Sequence, residues 1–256
     1  MNGFGQATNA ATVLLRNSAG AYYGAFAPNP TLALSANGTV LRFTESLNRV
    51  HSMGGAFDTS IETGALGPVV LRGEFVYDKD TMQPVVDRRL LGIGDLENGL
   101  TPQKQDMFKY VLGADVTVLT NMLVSTQFIQ FRNLDFKDEK RTCTTQVGTT
   151  YDCSKYTADA PTLHLSNGLK KAEKNKEFVS LFFSKPFGGS QQHRWNNITI
   201  FEDEGGYWNR FDLEYSFTDK LIGSAEWNHY WGDQNSWFGQ MKNSSNIGVG
   251  IKYLFD

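Results

Sequence analysis

The stretch that decides the fold is Tyr207–Phe217, which reads YWNRFDLEYSF. Its odd positions are Tyr207, Asn209, Phe211, Leu213, Tyr215 and Phe217; its even positions are Trp208, Arg210, Asp212, Glu214 and Ser216. A β-strand sends alternate side chains to opposite faces, so one face of this stretch is apolar and aromatic and the other charged. The pattern recurs in both directions. Leu221, Ala225, Trp227 and Trp231 oppose Ser224, Glu226 and Asn228, and Ile247, Val249, Ile251, Tyr253 and Phe255 oppose Gly248, Gly250, Lys252 and Leu254. Upstream, Phe108, Tyr110, Leu112, Ala114, Val116 and Val118 oppose Lys109, Gly113, Asp115 and Thr117. Val69, Leu71, Phe75 and Tyr77 oppose Arg72 and Glu74, and Met53, Phe57 and Ile61 oppose Ser52, Asp58 and Ser60.

Less regular strands are expected at Glu177–Lys185, Trp195–Glu202, Met122–Asn133 and Thr39–Thr44. Together these make about ten strands of roughly 9–12 residues, the length that crosses a bilayer when tilted and longer than the ordinary globular strand. No helical period persists, although Thr8–Tyr23 is Ala-rich and ambiguous. Short connections at Glu62–Pro68, Leu119–Met122, Phe187–Gln191 and Phe217–Leu221 alternate with long ones at 78–106, 134–175 and 232–244; the tight link Glu202–Gly206 falls in the long series. Short-long alternation is the asymmetry of an outer-membrane barrel, with short periplasmic turns and longer external loops. The predicted fold is therefore all-β: an antiparallel transmembrane β-barrel, or the C-terminal part of a larger one. Residues 1–37 form an N-terminal segment of uncertain structure, and residues 38–256 carry the strands. A soluble sandwich or lipocalin-like barrel would turn the same apolar faces inward. Aromatics near the strand ends (Tyr207, Phe217, Trp227, Trp231, Tyr253, Phe255) favour the membrane, as a girdle at the lipid interface.

The 256 residues carry a net charge of -3, and 13% of them are aromatic. The aromatic content excludes a disordered chain, and the charge leaves no basic footprint for nucleic acid. No apolar run reaches the length of a membrane helix, and Met1–Gln6 lacks the basic start of a signal peptide. An exported protein with this sequence is expected to be mature or a fragment. Cys143 and Cys153 sit in RTCTTQVGTTYDCSKYT without a neighbouring His, which argues against zinc. A loop-closing disulfide, formed in an oxidising compartment, is the expected pairing, with two unpaired thiols as the alternative.

The run Ala225–Phe255 resembles the closing hairpin of a Gram-negative outer-membrane barrel, whose terminal aromatic is read by the barrel-insertion machinery; here Asp256 follows Phe255. More specifically, DMFKYVLGADVTVLTNMLVSTQFIQFRNLDF (Asp106–Phe136) with YWGDQNSWFG is similar to a large family of proteobacterial outer-membrane proteins of unknown function, over roughly 49–255. That resemblance implies an envelope location and transport of organic or lipid-like compounds, and identifies no catalytic signature.

The charged face supplies the candidate site. Arg72, Glu74, Lys109, Asp115, Arg210, Asp212, Glu214, Glu226 and Lys252 would line a lumen. Such charges tune solute passage in a wide barrel and fill the interior by pairing in a narrow one. An enzymatic reading rests on His164-Leu165-Ser166-Asn167-Gly168, which resembles the His-x-Ser-Asn-Gly motif of outer-membrane phospholipase A. Phe178 occupies the place of that family's orienting Asn, and Asn175 lies out of register, so a loop turn is the preferred reading. Glu202-Asp203-Glu204 offers oxygens for calcium, with a solvated turn the commoner outcome. Lys170, Lys171, Lys174 and Lys176 read as a solvated basic run, with lipopolysaccharide phosphate as the alternative partner. His193 and His229 have no partner at metal spacing. The sequence thus points to a channel or transport barrel for small organic or lipid-like solutes, needing no cofactor, metal or catalysis. Its expected partners are outer-membrane lipids, lipopolysaccharide and the insertion machinery. A structural or binding barrel without an open pore is the alternative, and a phospholipase-like hydrolase the lesser one.

Overall fold

The computed structural model describes residues 14–16, 22–24, 48–92, 95–145, 148–159, 170–234 and 236–255. The expected strand Thr39–Thr44 and the motif His164–Gly168 lie outside these residues, as does most of the N-terminal segment 1–37. Two short strands are described there, β1 (Leu14–Arg16) and β2 (Tyr22–Gly24), paired antiparallel.

Nine longer strands form one sheet. They are β3 (His51–Thr63), β4 (Gly67–Gln83), β6 (Gln103–Val118), β7 (Met122–Asn133), β12 (Asn175–Phe187), β13 (His193–Glu202), β14 (Tyr207–Ser216), β15 (Leu221–Trp231) and β16 (Asn246–Tyr253). Their spatial order is their order along the chain, from β3 at one edge to β16 at the other. Each register recorded between neighbours from β6 to β16 is antiparallel. All-β antiparallel architecture is thus present as expected. Among the described residues no pairing of β3 with β16 closes the sheet. No helix of the described residues is long and apolar enough to cross a membrane.

Most strands are longer than the alternation alone marks out. β4 runs on to Gln83 and β6 begins at Gln103, where the sequence loses its period. Phe217 and Phe255 fall just past the ends of β14 and β16. The β6–β7 turn is tight because Leu119 (φ 47) and Thr120 (φ 71) both take the left-handed conformation. That is the pair of positive φ values that matches the right-handed strand twist in a tight hairpin.

Contacts divide the chain into two units. One contains the stretches 79–106 and 134–173, the two long connections. Within it β5 (Val85–Asp87), β8 (Asp138–Glu139) and β11 (Lys155–Thr157) form a small antiparallel sheet in the order β5-β11-β8. Val86, Tyr156 and Ala158 are buried together, with Leu91 of α1 (Arg88–Gly92) against them; α2 (Leu96–Gly99) follows. The guanidinium of Arg88 donates to Asp152 at 2.7 Å and to the Tyr156 hydroxyl at 3.3 Å, and the Tyr156 bond foremost raises the Arg88 pKa. Hydrogen bonds from Ser154 hold the Asp152 carboxyl below its usual range.

Cys143 and Cys153 are joined by the expected disulfide. It ties β9 (Thr142–Thr144) to β10 (Thr150–Asp152), which pair with Cys143 opposite Tyr151. Closing a loop of this size stabilises by about 3 kcal/mol, by restricting the unfolded chain. Reduction is therefore expected to open the hairpin. Limited proteolysis with and without reductant should show new cleavage between Thr142 and Asp152 only in the reduced sample.

The second unit comprises 52–78, 107–133 and 174–256 and holds most of the nine-stranded sheet. Its apolar face is not packed into a core. Among the described residues the buried hydrophobics are Val85, Val86, Cys153, Tyr156, Ala158 and Phe178, and of these Phe178 alone belongs to the large sheet. Val249 and Ile251, by contrast, are 85% and 82% exposed. Trp227, Leu112, Phe75 and Phe57 are exposed on the same face.

Candidate functional site

Register settles which side chains share a face, because directly paired residues project to the same side of an antiparallel sheet. Asp115 pairs with Ser125, Ser125 with Phe182, Phe182 with Ile198, Ile198 with Arg210, and Arg210 with Asn228. Asp212 pairs with Glu226, Glu214 with Ser224, and Lys252 with Ile222. Lys109 shares a parity with Asp115 on β6. On β4, Arg72 forms an ion pair with Asp115, which puts Arg72, and with it Glu74, on the same side. All nine residues predicted to line a lumen therefore lie on one face of one sheet.

Two charged fields occupy this face. In the first, Lys109 donates to Asp78 at 2.7 Å, and Ser52 donates to the other oxygen of Asp78 at 2.5 Å. The Arg72–Asp115 pair lies in the same field, with Asp115 buried. In the second, Arg210 bridges two strands, reaching Asp212 at 2.9 Å and Glu226 at 2.8 Å. Asn228 donates to Glu226 in turn. Beside them is a recess of about 520 Å³ lined by Asn196, Arg210, Asp212, Glu214, Ser224 and Glu226. Gly248 and Gly250 of β16 leave it room, since each stands opposite one of its polar side chains. Glu74 and Lys252 face the same side from β4 and β16.

Between the fields the face turns apolar. Phe178 and Phe182 of β12 and Ile198 and Ile200 of β13 share the parity of the charged residues. Short helix α3 (Trp237–Gln240), in the β15–β16 connection, packs on this part. The Trp237 ring lies 5.6 Å from Phe178 and 6.5 Å from Phe131, and Phe238 meets Phe178 edge-on at 6.2 Å.

The opposite face carries the predicted girdle residues, sorted into two clusters. At the end of the long connections Tyr207 stacks on Trp231 at 6.2 Å and meets Phe201 at 6.1 Å. Trp227 joins them through His229. At the end of the short turns His193 stacks on Tyr215 at 3.9 Å, Phe217 packs on Tyr215 at 5.1 Å, and Phe255 on Tyr253 at 4.9 Å. His193, given no role on sequence grounds, also accepts the Ser216 backbone N–H at 3.1 Å through Nδ1.

Two expectations are corrected here. Lys176 is not on a solvated face: its side chain is 11% exposed and forms ion pairs with Glu202 at 2.7 Å and Glu204 at 3.0 Å. The acidic triplet accordingly holds a lysine and is not simply a solvated turn, because Glu202 has 0% side-chain exposure. Lys171 pairs with Asp138 at 2.8 Å. Among the described residues no cluster of His, Cys, Asp or Glu could hold a metal ion. Phe178, weighed as the position of an orienting Asn, is instead an aromatic contact of Trp237.

Sequence reasoning missed Trp237, Phe238, Ser236 and the partnership of Lys176 with Glu202. The available signal was the glycine spacing at Gly205, Gly206, Gly232 and Gly239, which marks close approach of backbones, but it names no partner. Searches of protein-family models, of curated proteins and of solved structures each find no match to this chain.

Proposed function

We propose that this chain forms an outer-membrane β-barrel that passes small organic or lipid-like solutes, with its charged face lining the passage and its apolar face in lipid. The observation that carries this reading is the exposed apolar face, bounded at both strand ends by aromatic clusters. Water does not tolerate so large an apolar surface without a partner. The run from Tyr207 to Tyr215 on β14 covers about 27 Å of strand, and about 20 Å of membrane depth at a usual tilt. That is close to the apolar band of such barrels, about 25 Å between aromatic girdles.

Connectivity supports the same reading. The turns β3–β4, β6–β7, β12–β13 and β14–β15 are short and share one end of the sheet, while the long connections leave from the other. Because the nine strands alternate in direction, β3 and β16 run the same way. Antiparallel closure therefore needs an odd number of further strands between them.

A closed barrel with a filled interior, serving as a binding or structural protein, is the second reading. It is favoured by the ion pairing across the charged face and by the packing of α3 upon it. Reconstitution in planar bilayers separates the two. The transport reading expects discrete conductance steps from folded, heat-modifiable protein. Silence from an inserted, folded sample would overturn it and leave the filled barrel.

A further inference from the structure

The connection between β15 and β16 turns back over the charged face and is held there by an interlocked set of contacts. Glu202, with no side-chain exposure, accepts the backbone N–H of Trp237 at 2.9 Å and of Phe238 at 3.2 Å. Lys176 joins the same carboxylate at 2.7 Å, and its ammonium lies 4.6 Å from the centre of the Trp237 ring. Ser236, fully buried, accepts the Gly239 N–H at 3.0 Å and donates to the Asp233 carbonyl at 2.9 Å.

Three glycines permit this closeness. A Cβ at Gly239 would come within 1.9 Å of the Asp233 carbonyl oxygen. One at Gly232, whose φ is +140, would meet the Cα of Gly206 at 2.7 Å, and one at Gly206 would meet a Glu202 oxygen at 2.7 Å. No side chain fits at these points. A solvated loop has no physical reason to commit a buried carboxylate, a buried lysine and three side-chain-free contacts to its own placement, since burying charge is unfavourable unless it is closely paired.

From this arrangement we infer that residues 232–234 and 236–245 are the constriction of the passage, with Trp237 and Phe238 as its apolar lip and Glu202 as the positioning residue that fixes them. The inference rests on the transport reading above. It places a narrow, aromatic-sided point between the two charged fields. A solute with an apolar body then meets Phe182, Trp237 and Phe238, which are all partly exposed, while its polar groups face Arg210 and Arg72.

The test uses the full chain in planar bilayers. It compares wild type, a variant with 233–244 replaced by a short Gly-Ser turn, and the double variant Trp237→Ala/Phe238→Ala, which keeps the connection if the shortened one misfolds. Amide hydrogen exchange at Trp237 and Phe238 is followed in Glu202→Gln. Expected is a several-fold rise in unitary conductance over wild type in the first two variants. In Glu202→Gln, exchange at the two amides should quicken by about tenfold or more, because local opening sets that rate. Channels of equal conductance in all forms would overturn the constriction and leave transport standing. No channels in any form would overturn both. Unchanged exchange in Glu202→Gln would remove Glu202 from its positioning role.

Discussion

Leu213→Arg is expected to cost about 2–4 kcal/mol of folding stability in a bilayer, the range for a cation placed at the lipid-facing midplane of a barrel strand. Leu213 lies near the middle of the run from Tyr207 to Ser216, on the exposed apolar face, opposite Ala225 and Trp195. Ser224→Arg is the matched control, because Ser224 projects to the charged face opposite Glu214 and Gly250. There an added guanidinium finds a carboxylate and the space above a glycine. The control is expected to fold within about 1 kcal/mol of wild type, the usual scale for a solvated ion pair. Denaturant titrations of both variants in lipid vesicles read the difference directly. Equal stability of the two would place the apolar face somewhere other than hydrocarbon. A soluble sandwich makes the opposite demand: without lipid, its exposed Val249 and Ile251 would need a second protein layer.

Glu202→Ala is expected to lower the local stability of the 232–245 connection by about 3 kcal/mol, the low end for breaking a buried ion pair. Three partners are lost at once: the Lys176 ammonium and the backbone N–H groups of Trp237 and Phe238. Glu204 stays on Lys176 at 3.0 Å, which keeps the loss at the low end. The double variant Glu202→Leu/Lys176→Met should recover part of it, since an apolar pair of similar volume removes the stranded charge but leaves the two amides unpaired. Trp237 fluorescence and amide exchange both follow the change. A single-variant loss below about 0.5 kcal/mol would mean that the aromatic contacts with Phe178 and Phe131 alone hold the connection.

How much of this was legible beforehand depended on the range of the interaction. β14 and β15 could be read almost residue by residue, because a period of two is a local signal and each pleat repeats it. The grouping of Arg72, Asp115, Arg210 and Glu226 on one face followed from the same parity. The pairing of Cys143 with Cys153 was legible because the two cysteines lie only ten residues apart with no histidine beside them. The small sheet of Val85–Asp87, Asp138–Glu139 and Lys155–Thr157 was not. Its strands are two or three residues long and come from distant places, so no period develops within any of them. The partnership of Lys176, Glu202 and Trp237 was hidden likewise: each residue looks ordinary in its own neighbourhood, and only the folded chain brings an acid from β13 under an amide from the β15–β16 connection. The apolar middle of the charged face was also missed, because Phe182 and Ile198 sit in strands whose alternation is irregular.

The cystine between β9 and β10 also bears on biogenesis. A crosslink spanning so few residues can be sealed by an oxidase acting on the nascent chain, before distant segments arrive. Later stages of folding would then start from a small preformed bead in place of a free thread.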